Sequence, residues 1–231
     1  MQHPSGQLPG MSRTLSPPEL KCTPAIATAG GASGPKPIVS CALAKLLSRR
    51  SVSPRRLTEP GPSSADLELM LQAALRAPDH GRLCPWRVIE FPLNRREALA
   101  DLFEQEKLRR DPLAVTEDRD RARDHALRPP ALFGFIVAPL RNATVPMREQ
   151  WLAAGAALGN LLNAAHALGF GAIVLSGERC FDQILLRELG LQAHEALAGF
   201  VSMGSVSQEP VAAASKTSEQ LHTVWASVPR S

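Results

Sequence analysis

Apolar positions along the chain follow two rhythms, one near 3.6 residues and one of 2, and they alternate. Leu43, Leu46 and Leu47 form a short apolar face that ends at Ser48-Arg49-Arg50-Ser51. A stronger helical period places Leu67, Met70, Leu71, Ala74 and Leu75 on one face. Ser63 with Asp66 reads as a capping box that opens this helix, and Pro78 as the residue that ends it. Trp86–Phe91 predicts a strand, Arg96–Arg109 a charged amphipathic helix, and Thr116–Leu127 a polar, arginine-rich helix before Pro129-Pro130. Leu132–Ala138 is apolar throughout and predicts another strand. Gln150–Leu168 is almost entirely small or apolar, the composition of a central, tightly packed helix. Ala172–Ser176 and Ala198–Met203 predict strands around a helix from about Asp182 to Leu189 that stops at Gly190. This mixed order predicts an α+β domain, and no internal repeat is visible.

The rhythm is missing at both ends. Residues 1–38 hold seven Pro, five Gly and four Ser and no aromatic residue, too little apolar area to offset their ordering entropy. They are expected to be a disordered extension to a domain over 39–207, with 208–231 a tail of unassigned role. No apolar h-region precedes a small-residue cleavage site, so a secretory signal is not expected.

Charge divides unevenly over the 231 residues. Up to Arg56 there are eight Lys/Arg and one acid, Glu19, whereas the remainder carries 18 bases and 21 acids. The basic pI therefore describes the first quarter and not the body, which argues against a nucleic-acid surface. Aromatic residues are only 4% and Tyr is absent, so stacking platforms for single-stranded bases are scarce as well. No apolar run approaches the roughly 18 residues of a membrane span. Cys22, Cys41, Cys84 and Cys180 lie far apart without a C-x-x-C pair, which fits a reducing cytoplasm better than a disulfide scaffold or a zinc ribbon. The six His show no paired ligand spacing, so no metal is expected.

Three stretches could carry chemistry. Arg49, Arg50 and Ser51, with Arg55-Arg56 beyond, offer guanidinium forks and a hydroxyl suited to a phosphate monoester; they equally suit a solvated helix end with cations near its negative dipole. In R-A-P-D-H-G (76–81), Arg76 and His80 flank a proline-broken helix end and can point into a cleft, or Asp79 caps or pairs locally and His80 is a structural hydrogen bonder. The small-residue helix 153–165 and G-F-G-A-I-V-L-S-G (169–177) would let something flat approach the backbone, or they form a closely packed helix-to-strand turn. Neither Gly-rich phosphate loop motif occurs.

Taken together and in this order, the sequence resembles the nitroreductase superfamily of flavin enzymes, most closely its YdjA-like branch. The resemblance runs from about residue 42 to 206. It is carried by L-L-S-R-R-S, L-x-L-M-L-Q-A-A-L-R-A-P-D-H-G, P-W-R-V-I-E, V-P-M-R-E-Q-W-L-A-A-G-A-A-L, G-F-G-A-I-V-L-S-G and G-F-V-S-M-G. It implies a mostly antiparallel central sheet packed by helices, in an intertwined homodimer that binds FMN at its interface. By motif position, Arg49, Arg50 and Ser51 would contact the FMN phosphate and ribityl end. Arg76 and His80 would contact the flavin across the dimer, and Val174, Leu175 and Ser176 would line it. Ala164, Ala165, His166, Ala167, Leu168 and Gly169 match the region for the nicotinamide donor. One departure is that Val174-Leu175 stands where a member of that branch carries Trp-Arg. Without that Arg, phosphate binding rests more on Arg49, Arg50 and Ser51.

The resemblance further implies a cytoplasmic FMN-dependent oxidoreductase with ping-pong chemistry. Hydride passes from NAD(P)H to flavin N5, and a small nitroaromatic or quinone-like acceptor then takes the electrons. No catalytic side chain is required, because the cofactor carries the reaction. Two rival expectations are a different flavin reaction on the same fold, dehydrogenation or flavin breakdown, and a binding protein that docks through its basic first quarter.

Overall fold

A computed structural model describes residues 40–141, 144–210 and 220–225. The expected disordered extension, 1–38, lies outside them, as does most of the tail. The chain divides into two compact units, residues 1–44 and 45–231. Of the first unit, only the opening of helix α1 (Cys41–Ser48) is described.

The second unit is a five-stranded antiparallel sheet with helices on both faces, as expected for the α+β class. Its spine is β5 (Ala196–Val206), flanked by β3 (Ala131–Val137) on one side and β4 (Gly171–Leu175) on the other. Strand β2 (Trp86–Glu90) lies outside β3, and the two-residue β1 (Leu57–Thr58) pairs with the far end of β5. Period-two alternation sends Phe133, Phe135 and Val137 to one face, where α2 (Ser64–Ala74) and α5 (Met147–Ala167) cover them. Leu132 and Ile136 point to the other face, under α3 (Arg96–Arg110), α4 (Thr116–Leu127) and α6 (Gln183–Glu188). A bulge between Phe135 and Ile136 shifts the register against β5.

Local signals set most boundaries. The Ser63 hydroxyl accepts from the Asp66 N–H and the Asp66 carboxylate accepts from the Ser63 N–H, a complete capping box. Asp182 caps α6 by accepting from the Leu185 N–H at 2.6 Å, and Gly190 follows at φ +78°. Helix α2 stops at Ala74, well before Pro78, and Leu75 is 56% exposed rather than part of the core face. Helix α5 begins at Met147 because Pro146 pre-sets the entry. Gln150, expected to open that helix, is instead buried inside it. Its amide donates to the carbonyls of Leu140 and Val145 and accepts from the Leu140 N–H, clamping the preceding loop. Two-residue β1 has no sequence period, so only pairing with β5 reveals it.

Candidate functional site

The C-terminal end of α1 and that of α5 meet. Ser48 Oγ lies 2.9 Å from His166 Nε2, and the Val52 N–H donates to the Ala172 carbonyl at 3.1 Å, so the basic turn closes onto the start of β4. Lys45, Arg49 and Arg50 surround His166. Burial first, then these cations, hold its pKa below the ordinary imidazole value, while Glu209 just after β5 opposes them. The two arginines have different commitments. Arg50 Nη1 folds back onto the carbonyls of Leu47 and Arg49, both at 2.8 Å, which satisfies the carbonyls that end α1. Half-buried Arg49 has no side-chain hydrogen bond or ion pair among the described residues, and exposed Ser51 leaves its hydroxyl unspent there. Arg49 therefore supplies a guanidinium fork with its donors available.

Residues 164–169 are the helix end itself. The Gly169 N–H donates to His166 O and the Phe170 N–H to Ala165 O, a Schellman motif with Gly169 at φ +94°. Ala165 is buried and Ala164 and His166 are half-buried, so Ala167, Leu168 and Gly169 present the exposed surface. From there β4 carries Val174 and Leu175 along the sheet, and Ser176 follows its last residue. Val174 packs so closely that a Cβ on Gly199 would sit 2.6 Å from its Cγ1. Leu175 faces the α3 side of the sheet, Ser176 is exposed, and a Cβ at Gly177 would meet nothing within 4 Å. The backbone at 176–177 is open to a flat group.

Arg76 and His80 lie elsewhere. His80 Nδ1 is 2.8 Å from Glu149 Oε2, in the first turn of α5. His166 lies in the last turn of the same helix, about 26 Å away at 1.5 Å rise per residue. Arg76 is exposed and has no side-chain partner among the described residues. The loop between them and β2 is strained: besides Gly81, both Arg82 (φ 53°) and Cys84 (φ 48°) are left-handed. Asp79 holds the turn by accepting from the Cys84 N–H at 2.7 Å. Within one protomer the predicted residues therefore form two patches at opposite ends of α5.

Glu149 was not picked out by sequence reasoning. An acid in a first helical turn is visible in the sequence, but its pairing with His80 depends on how α5 crosses the loop.

Comparison with known proteins bears on these two patches. The model of the nitroreductase family matches residues 46–205. The chain is 32% identical over 166 residues, 71% of its length and 87% of the relative's, to the Escherichia coli K12 protein named "Putative NAD(P)H nitroreductase YdjA". Its fold is similar to that of the Bacteroides fragilis nitroreductase with bound FMN (TM-score 0.60, 20% identity, 80% of this chain and 99% of that one). It is also similar to the NADPH:FMN oxidoreductase from Vibrio harveyi complexed with NAD+ (TM-score 0.61, 16% identity, 79% and 76%).

Proposed function

Because this chain belongs to the nitroreductase family, we propose that it is an FMN-dependent oxidoreductase that moves electrons from NAD(P)H to a small nitroaromatic or quinone-like acceptor by alternating half-reactions. The observation that carries the reading is the closure of the basic turn onto the α5–β4 junction, through Ser48 and His166.

The residues present fit FMN. Uncommitted Arg49 and Ser51, with Arg50 beside them, suit a phosphate dianion, and the open backbone at Ser176-Gly177 suits a flat ring. FMN, when bound, supplies hydride acceptance and electron transfer. The chain's own work is to bind and orient. Arg49 and Ser51 anchor the phosphate, Val174 and Leu175 fix the strand against which the ring lies, and half-buried His166 with exposed Ala167, Leu168 and Gly169 borders the donor. With Leu175 apolar where a branch member has Arg, no cation of β4 assists the phosphate.

The reading includes a homodimer, and two features of α5 support it. The halves of the site lie at opposite ends of this helix, too far apart for one FMN, so a second copy running antiparallel would bring His80 and Arg76 to Arg49. The outer face of α5 is also built for a helix partner. Leu152 is 72% exposed, Trp151 44%, and Cβ atoms at Gly155 and Gly159 would meet nothing within 4 Å. Among the described residues no helix is long and apolar enough to cross a membrane. Among the described residues Cys84 and Cys180 are free thiols, which supports placement in the reducing cytoplasm.

Flavin content tests the reading. Purified protein should be yellow and release about one FMN per chain, and NAD(P)H should bleach it in the absence of acceptor. Colourless protein that refuses added FMN would end it.

A further inference from the structure

On the face of the sheet away from α2 and α5, a cavity of about 410 Å³ opens between β4, β5 and the helices α3 and α4. Its polar lining is unusual. Ser202 of β5 is 0% exposed, and its hydroxyl has no hydrogen-bond partner among the described residues. Arg179 lies in the wall with its side chain 12% exposed and its guanidinium 4.1 Å from the centre of the Phe103 ring. Its one ionic contact is Nε to Glu106 Oε2 at 3.5 Å, and none of its N–H groups makes a hydrogen bond among the described residues. A buried hydroxyl such as that of Ser202 is seldom left unspent.

The surroundings define what would use these donors. Arg110 at the rim is committed to Glu106 and Glu178 at 2.8 and 2.7 Å, and Glu178 is 73% exposed, so the acid nearest the mouth faces solvent. Leu132, Leu175 and Phe200 form an apolar wall beside Ser202. The volume far exceeds the roughly 30 Å³ share of one water and falls in the range of small-molecule sites. Unspent donors select an acceptor-rich group, the guanidinium excludes a cation, and the apolar wall calls for a flat, hydrophobic body.

We propose that this cavity binds a small aromatic or unsaturated carboxylic acid, its carboxylate held by Arg179 and Ser202 and its body packed on Leu132, Leu175 and Phe200. The cavity borders the proposed flavin ring at Leu175, Ser176 and Gly177, while the donors Arg179 and Ser202 that define it are not among the residues assigned to FMN.

The test is fluorine NMR titration of the purified, flavin-loaded protein with 4-fluorobenzoate. Saturable binding of one equivalent per chain is expected. It should weaken about tenfold or more in Arg179→Met and about three- to tenfold in Ser202→Ala, a one-atom change that keeps the fold. Arg49→Ala, which acts on the proposed phosphate patch, should leave the probe's affinity unchanged when it is compared with the native protein at equal FMN occupancy. No saturable binding at about 10 mM probe, or equal affinity in Ser202→Ala and the native protein, would overturn the proposal. Loss of the probe in Arg49→Ala would overturn it too, by placing the acid with the flavin. The FMN content of the native protein is read in the same samples, so failure of the oxidoreductase reading is recorded separately.

Discussion

Arg49 and Arg50 are neighbours of the same type, yet their geometry gives them different work. Arg50 spends Nη1 on carbonyls at the end of α1, whereas Arg49 has no partner among the described residues. Arg49→Ala should therefore weaken FMN by about 1.5–3 kcal/mol, the range for a charge-assisted hydrogen bond. Riboflavin, which lacks the phosphate, should be affected much less, and Arg50→Ala should cost FMN less than Arg49→Ala. Flavin fluorescence titration of both ligands decides this; equal losses for FMN and riboflavin would remove Arg49 from the phosphate. His166 makes a second prediction. Burial and the cations Lys45, Arg49 and Arg50 depress its pKa, so the folded state favours the neutral ring. The unfolded chain then binds more protons as pH falls through its unperturbed value of 6.5. Stability is present above that value and declines below it. The flavin-free protein should lose melting temperature from about pH 7.5 to 5.5, and His166→Gln should flatten part of the decline. His125, lowered by burial and then by Arg179, keeps the remainder.

At the scale of elements, α5 carries the most information. Its inner residues Ala154, Ala157, Leu161 and Ala165 are buried against the sheet, while Leu152, Gly155 and Gly159 look outward. Within the protomer a Cβ at Gly155 or Gly159 meets nothing, so Gly155→Ala should stabilise the helix by about 0.5–1 kcal/mol. Gly155→Leu should keep the fold but drive a close helix–helix contact apart. Sedimentation at micromolar concentration should show native dimer and a Gly155→Leu monomer with lower FMN occupancy. A native monomer that holds FMN would end the dimer reading. The small-residue composition of this helix was legible in the sequence, since it repeats at helical spacing. Which of its faces met the sheet was not, because both faces carry Ala, Gly and Leu in similar measure.

For the whole molecule, deletion of residues 1–38 should leave the melting temperature, the dimer and the FMN affinity unchanged. Their Pro, Gly and Ser content leaves little apolar area to bury, at about 25 cal/mol per Å² against about 1–2 kcal/mol of ordering cost per residue. A fall in either measured quantity would make that segment part of the assembly. The fold class, the order of the longer elements and the capping box at Ser63 were determined by the sequence alone. They depend on hydrophobic period and on partners within about four residues, and those are written in the local pattern. The same holds for the motifs that carry the family resemblance. Contacts between distant segments were decided by tertiary structure. Ser48 meets His166 across 118 positions, and His80 meets Glu149 across 69. The donors of Ser202 and Arg179 come to one cavity only because β5 and the turn after β4 pack beneath α3. Sheet register and helix packing set such distances. The length of α5, by separating the two halves of the site, makes a second copy of the chain part of the proposed enzyme.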